Sequence, residues 1–415
     1  MRRSKTWPAA LCAVCAVVVL ATGCGSSSSK SSTSGAAGKT SASSSQKPIL
    51  IGAAIDLSST MKAFDGPAIA AAQLEAAKIN AQGGVDGRKL QFVVENDQLN
   101  PSRTRSDALD VTGKGAAVLW VTCDVDWATP STEVGISKGL LTVAPCIGTD
   151  QMGPKRFGSL GKLAFSYGNV AQDEGAAYAQ LAIKNGWKTA DVVTDKSIVY
   201  EVNDCAAFTK RFTELGGKVV GQFNFTQGDH TVASVASKVN GQKADTVALC
   251  TYPSPAGDLP AFVSDLRSLG NQTPIVGPWS IDGAFWLPKD PKIANNIWYV
   301  TYASVYGDDP DPAVRALEKQ LVAAGNPPAT GGFVTGAAAV DGIVAAIKQS
   351  GGSTDGSKLA STMASFSGLQ TISGPVSFSP ALHSVFGRDY RVIHVSNGKP
   401  AYVESIKASS PANIG

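Results

Sequence analysis

Cysteine, histidine and serine are the residues from which this chain could build a reactive centre, and their spacing argues against most such centres. The three histidines, His230, His383 and His394, stand far apart and show no metal-ligand spacing. No Gly-x-Ser-x-Gly elbow occurs, and Gly-Ser clusters such as the one at 351–353 read as turns. Gly38-Lys39-Thr40 has the ending of a phosphate loop, but Thr33 stands where that motif needs its first glycine. The carboxylates are scattered and suggest no acid/base pair. The expectation is a protein that is not an enzyme, with no catalytic residue, metal or cofactor. The cysteines sort by position. Cys12 and Cys15 lie within an apolar leader and Cys24 follows it, which leaves Cys123, Cys146, Cys205 and Cys250 for the body of the protein. Four thiols pair in three ways, with buried free thiols as the other reading. The first two and the last two fall in different halves of the fold, which favours Cys123 with Cys146 and Cys205 with Cys250.

Arg2, Arg3 and Lys5 precede an apolar run from Ala9 to Ala21, at about thirteen residues too short for a membrane span and suited to a signal-peptide core. Leu20-Ala21-Thr22-Gly23-Cys24 resembles the lipobox of bacterial lipoproteins, with Ala21 where Leu is usual; the resemblance implies that Cys24 is acylated and becomes the mature N-terminus. Residues 24–47 are rich in Ser, Gly, Ala, Thr and Lys, a composition that cannot bury a core and reads as a flexible tether. The protein is therefore expected outside the cytoplasm, lipid-anchored to the outer face of the cell membrane or on its periplasmic side. Loss of residues 1–23 takes the formal charge from +3 to zero, and nothing in that balance suggests a nucleic-acid partner.

The remaining chain alternates β-branched runs with amphipathic stretches. Strands are expected at Ile49–Ile55, Leu90–Glu95, Ala117–Val121 and Leu141–Ala144. Helices are expected over Gly66–Gln82, where Ile69, Ala72, Ala76 and Ile79 share a face, and from near Pro101 and Thr129. The same βαβα rhythm starts again after Tyr167, with strands at Ala190–Thr194, Val219–Phe225, Thr246–Cys250 and Ile275–Gly277. Parallel sheets covered on both faces follow from this rhythm, and two tandem units imply two lobes. Toward the C-terminus an extended run at Ile297–Ser304, helices at Pro312–Ala324 and Val334–Gln349, and returning strands at Pro375–Phe378, Tyr390–His394 and Ala401–Ile406 suggest that the chain revisits both lobes. In such folds ligands bind beyond the carboxyl ends of the strands.

Lys47-Pro48-Ile49-Leu50-Ile51-Gly52, the Leu57-Ser58-Ser59 turn, and above all the string Ile79-Asn80-Ala81-Gln82-Gly83-Gly84-Val85-Asp86-Gly87-Arg88-Lys89-Leu90 resemble the binding proteins of branched-chain amino-acid-type ABC importers. The resemblance covers roughly 49–406. It implies the type I periplasmic binding protein fold: two Rossmann-like lobes with parallel sheets, joined by three crossovers, with the ligand cleft between them. The expected boundaries are 48–166 and 303–366 for the N-lobe, 167–302 and 367–410 for the C-lobe. By the same resemblance the ligand would meet Ser59, Phe64, Asp124, Asp126, Trp127, Cys146, Gly148 and Thr149 from the N-lobe. Tyr200, Tyr252, Trp279 and Asp282 would face them from the C-lobe, with Tyr167 near the first crossover.

In the family's amino-acid binders, N-lobe hydroxyls and amides hold the ligand carboxylate, and an acid after Gly-Pro holds its ammonium. Here Asp124 aligns with the usual Ser, and Trp279 follows Gly277-Pro278. A carboxylate beside a ligand carboxylate would cost several kcal/mol in a closed cleft, on the order given for buried unpaired charge. The aromatic set with one or two acids suits a cationic, amide or hydroxylated ligand instead. The other reading of Asp124 is as the cap of the helix that follows it. The function expected is that of a monomeric solute-binding lipoprotein, delivering a small polar molecule (an amino acid, amide, amine or related compound) to ABC permease subunits and their ATPases. A ligand sensor coupled to a signalling partner is the alternative.

Overall fold

The computed structural model describes residues 47–412; the expected signal peptide, Cys24 and nearly all of the tether lie outside these residues. In chain order the first elements are β1 (Ile49–Ile55), α1 (Lys62–Ala81), β2 (Leu90–Asn96), α2 (Pro101–Gly113), β3 (Val118–Val121), α3 (Val125–Ser137), β4 (Leu141–Ala144), α4 (Pro154–Phe157) and β5 (Ala164–Asn169). There follow α5 (Ala171–Lys184), β6 (Thr189–Asp195), α6 (Val199–Glu214), β7 (Lys218–Phe225), α7 (Val232–Gln242), β8 (Thr246–Cys250), α8 (Asp258–Ser268), β9 (Ile275–Gly277) and β10 (Ile297–Thr301). The last are α9 (Pro312–Ala323), α10 (Phe333–Gln349), α11 (Gly356–Ala364), β11 (Leu369–Thr371), β12 (Gly374–Val376), β13 (Ser384–Val385), β14 (Tyr390–Ser396) and β15 (Lys399–Ile406).

Two sheets result. The first has the order β13-β5-β4-β3-β1-β2 and is parallel throughout. The second runs β15-β14-β10-β9-β8-β6-β7, parallel except that β14 pairs antiparallel with both β10 and β15 at one side. β1 is almost wholly buried, as a continuous apolar run in a sheet covered on both faces must be. At Gly52 an added Cβ would press within 2.7 Å of Val111, so the glycine lets α2 lie close on β1.

The glycine-rich string has a structural reason for each landmark. The Asn80 side chain donates to the Leu90 carbonyl and accepts from the Leu90 amide, both at 2.8 Å, tying the end of α1 to the start of β2. Gly83, Gly84 and Gly87 turn the chain with positive φ (105°, 77° and 79°), and at Gly84 a side chain would collide with the Arg88 backbone.

The chain passes between the sheets three times: between β5 and β6, between β10 and α10, and between β13 and β14. A buried polar network knits these strands together. The Asn169 amide N–H donates to Tyr302 Oη, and Asn169 Nδ2 donates to Tyr390 Oη and Asp173 Oδ2. Arg388 donates to the Tyr167 carbonyl and lies over the Tyr302 ring.

The expected boundaries need two corrections. The break at 166/167 falls inside β5, which belongs to the first sheet through Asn169. Residues from 367 were expected in the second lobe, yet β13 pairs with β5, and Val376 and Phe378 pack in the first lobe's core. The reason is Phe165: its ring stacks on His383 at 4.0 Å and meets Phe378 edge-on, an apolar surface that draws this segment back. Two helices begin earlier than expected. α1 starts at Lys62 and carries Pro67 in its first turns, and α3 starts at Val125, behind its cap Asp124.

Candidate functional site

Loops after parallel strands of both sheets converge on one buried cavity of about 30 Å³. From the first lobe come Met61 and Phe64, reached after β1; Cys123, Asp124 and Trp127 after β3; and Cys146 and Gly148 after β4. The second lobe supplies Ile198, Tyr200 and Glu201 after β6, Tyr252 after β8, and Trp279 and Ser280 after β9. These loops are held by buried acids. Asp65 accepts from the Asp56 and Cys123 amides and from the Thr122 hydroxyl. Asp56 accepts from the amides of Ser58, Ser59 and Met61.

The two walls touch at several points. Phe64 meets Trp279 edge-on at 5.0 Å between ring centroids, and Trp127 meets Tyr252 at 5.6 Å. Gly148 lies against the Tyr200 ring. Asp126 accepts from Arg156 Nη2 at 2.7 Å within its own lobe and from the Val199 amide of the other at 2.8 Å. A volume near 30 Å³ matches one water molecule, so a ligand of any size must enter with these walls apart. Disulfides brace both sides. Cys123 is joined to Cys146 (Cα–Cα 4.8 Å), linking the loops after β3 and β4, and Cys205 to Cys250 (Cα–Cα 5.9 Å), linking α6 to the end of β8.

The site is rich in buried acid. Asp124 caps α3, accepting from the Asp126 and Trp127 amides, but burial outweighs those bonds and pushes its carboxyl up to about 7. Glu174, behind the second wall, accepts from Tyr200 Oη at 2.9 Å and from the Trp279 amide at 2.5 Å. Burial raises Glu174, Glu201 and Asp204 above the usual carboxyl range, and repulsion from nearby acids adds to it: Asp173 and Asp282 act on Glu174, Asp195 and Glu174 on Glu201, and Glu174 and Glu201 on Asp204. All four groups hold protons more tightly folded than in the unfolded chain, where carboxyls titrate near 4. Their contribution to stability is complete below about pH 4 and is lost as pH rises through about 7 and beyond. The melting temperature of the ligand-free protein should therefore fall between pH 5 and pH 8 in a buffer-matched thermal series. A flat or rising profile would show that these acids are ionised in the fold.

Eight of the residues expected from sequence line the cavity: Phe64, Asp124, Trp127, Cys146, Gly148, Tyr200, Tyr252 and Trp279. The other five stand elsewhere. Ser59 donates to Asp56 and borders a larger open groove of about 800 Å³ whose only charged lining residue is Lys62. Asp126 is engaged by Arg156 and Val199. The Thr149 hydroxyl accepts from the Gln151 amide, and its carbonyl accepts from Ser384, the residue that opens the returning strand β13. Tyr167 is fully buried in the first lobe's core, edge-on to Phe378 and against Gly342. Asp282 is held by the Thr301 hydroxyl and the Gly331 amide and braces a crossover. Sequence reasoning missed Met61, Ile198 and Glu201 as cavity residues and Glu174 as the support of Tyr200 and Trp279. The signal for Glu201 was its place directly after Tyr200, at the start of a helix opening toward the cleft.

Two α/β lobes joined by three crossovers, with strand-end loops of both facing one cavity, define a two-lobed binding-protein architecture. The periplasmic binding protein family model matches residues 48–400, and the chain belongs to this family, in its type I, branched-chain amino-acid form. Among curated relatives, the Leu/Ile/Val-binding protein BraC3 of Rhizobium johnstonii is 26% identical over 331 residues, covering 80% of this chain and 87% of the relative. The fold is that of LivJ, the branched-chain amino acid transporter substrate-binding protein of Streptococcus pneumoniae, solved with isoleucine (TM-score 0.74, 19% identity, 87% of this chain and 99% of that one). It is also that of an ABC-transporter solute-binding protein of R. palustris solved with benzoate (TM-score 0.70, 23% identity, 88% and 98%). The family places the protein outside the cytoplasm, and among the described residues no helix is long and apolar enough to cross a membrane.

Proposed function

We propose that this protein is the solute-binding lipoprotein of an ABC importer. It captures a small polar molecule by lobe closure, is anchored to the membrane through Cys24, and delivers its cargo as a monomer to permease subunits and their ATPases. The observation that carries the reading is the cavity itself, walled by both lobes and bordered by the aromatic pairs Phe64–Trp279 and Trp127–Tyr252. A ligand that touches both walls binds the closed form better than the open one, and that difference drives closure.

The test is a thermal-shift panel on the purified protein with amino acids, amides, urea, polyamines, quaternary amines, aromatic acids and polyols. A ligand at 100 times its Kd should stabilise by about 2.7 kcal/mol. Silence across all classes would count against a solute-binding role. Closure also predicts a role for Asp126, which bonds across the cleft to Val199. Because this carboxylate is part-exposed, its loss is worth about 0.5–1 kcal/mol. Asp126→Ala should weaken the panel's best ligand two- to fivefold by isothermal titration, with the melting temperature of the free protein nearly unchanged.

A further inference from the structure

The charge of the cargo can be read from a residue the family resemblance did not supply, and this inference rests on the solute-binding reading above. Glu201 stands in the first turn of α6, lines the cavity and is fully buried, and neither of its carboxylate oxygens has a hydrogen-bond partner. Its neighbour in the wall, Ser280, donates its hydroxyl to the Thr251 carbonyl. Behind Glu201, Asp204 is likewise buried, beside the Tyr178 and Tyr200 hydroxyls, and Asp124 stands among the lining residues of the other lobe. No lysine, arginine or histidine is among the residues that line the cavity. Two carboxyl groups facing one space without a countercharge hold their protons while the cavity is empty, and a cationic guest supplies the charge against which Glu201 can ionise.

The guest is not a metal by this geometry: no three His, Cys, Asp or Glu side chains among the described residues are grouped to hold one. The rest of the wall is aromatic. Phe64, Trp127, Tyr200, Tyr252 and Trp279 present π surfaces, which attract an organic cation, and the Trp279 indole N–H is left as a buried donor without a partner. Isoleucine and benzoate, the ligands of two solved structures of this fold, both carry a carboxylate, a group for which this wall holds no cationic side chain.

We propose that Glu201 is the counter-ion for a small organic cation, an alkylated or primary ammonium, held within this aromatic cage. The cation's positive charge faces the Glu201 carboxylate, and Glu174 acts as a positioning residue by fixing Tyr200 and the Trp279 backbone.

The test is isothermal titration of the purified protein with choline, tetramethylammonium and 1,5-diaminopentane. The comparison ligands are 3,3-dimethylbutan-1-ol, the uncharged isostere of choline, together with isoleucine and benzoate. At least one cation should bind, and choline, if it is the one, should bind at least about tenfold more tightly than its isostere. Glu201→Gln, which keeps the side-chain volume, should weaken the bound cation about 30-fold or more, the range of a charge-assisted contact. Glu201→Asp, which keeps the charge, should fall between, and the exposed control Glu133→Gln should change nothing. Should Glu201→Gln fail to fold, the cation-against-isostere comparison in the unaltered protein still decides. Binding of isoleucine or benzoate with the cations silent overturns the inference and leaves the importer reading standing. Silence from cations and carboxylates alike overturns the inference, and the wider panel then judges the importer reading separately. Equal affinity for choline and its isostere, or an unchanged cation affinity in Glu201→Gln, overturns the role of Glu201.

Discussion

Gly148→Val is expected to cripple ligand capture while sparing the fold. Gly148 sits after β4 on the first lobe, and a Cβ built on it would fall on the ring of Tyr200, 2.8 Å from Cδ2 and closer still to Cε2. Tyr200 cannot swing away freely, because it is buried and its hydroxyl is bonded to Glu174. Within its own lobe the new carbon's nearest neighbour is the Asn169 carbonyl oxygen, at 3.2 Å, a contact that a small shift relieves. The clash thus belongs to the closed arrangement, and opening the cleft removes it. Overpacking of this kind costs about 1–3 kcal/mol, which here falls on closure and weakens binding roughly 5- to 150-fold. Titration of the variant with the ligand from the thermal-shift panel measures the loss, and small-angle scattering should show a larger radius of gyration. Unaltered affinity would mean that the bound form keeps these two loops apart.

Removal of the Cys205–Cys250 disulfide should produce the largest loss of stability. The bond joins α6 to the end of β8 across 45 residues of sequence, and both cysteines are buried. Constraint of the unfolded chain over such a loop is worth about 4 kcal/mol in the chain-entropy description, and about 3 kcal/mol for the 23-residue separation of Cys123 and Cys146. For a chain of this length the first figure corresponds to a fall in Tm of roughly 5 °C. Calorimetry of the Cys205→Ala/Cys250→Ala protein checks it. The other pair gives a different signature: Cys123 and Cys146 line the cavity, so their replacement should lower ligand affinity as well as stability. Equal melting temperatures for the oxidised and double-alanine proteins would show that packing of α6 on the sheet already supplies the constraint.

Most of the strand and helix pattern was legible in the sequence because it is encoded locally. The continuous run of β1, the spacing of Ile69, Ala72 and Ala76 on α1, and the glycines that end that helix each express a rule acting over a few residues. Asp124 shows the limit of such rules. Its position ahead of a helix and its alignment with a ligand-binding residue supported two readings, and in the structure the side chain both caps α3 and lines the cavity.

The two-unit α/β organisation, the loops that could reach a ligand, and the aromatic and acidic character of their residues are written in the order of amino acids alone. Which of those residues share a space depends on the packing of distant segments. Tyr167 turns inward because Phe378, more than 200 positions away, returns to cover it, and Asp282 is drawn aside by Thr301 and Gly331. Glu201 enters the cavity because the first turn of α6 is aimed at loops of the other lobe. Periodicity reports which face of an element is buried, but what lies opposite depends on how distant segments pack. For a cleft built from two lobes, that relation sets the chemistry of the site.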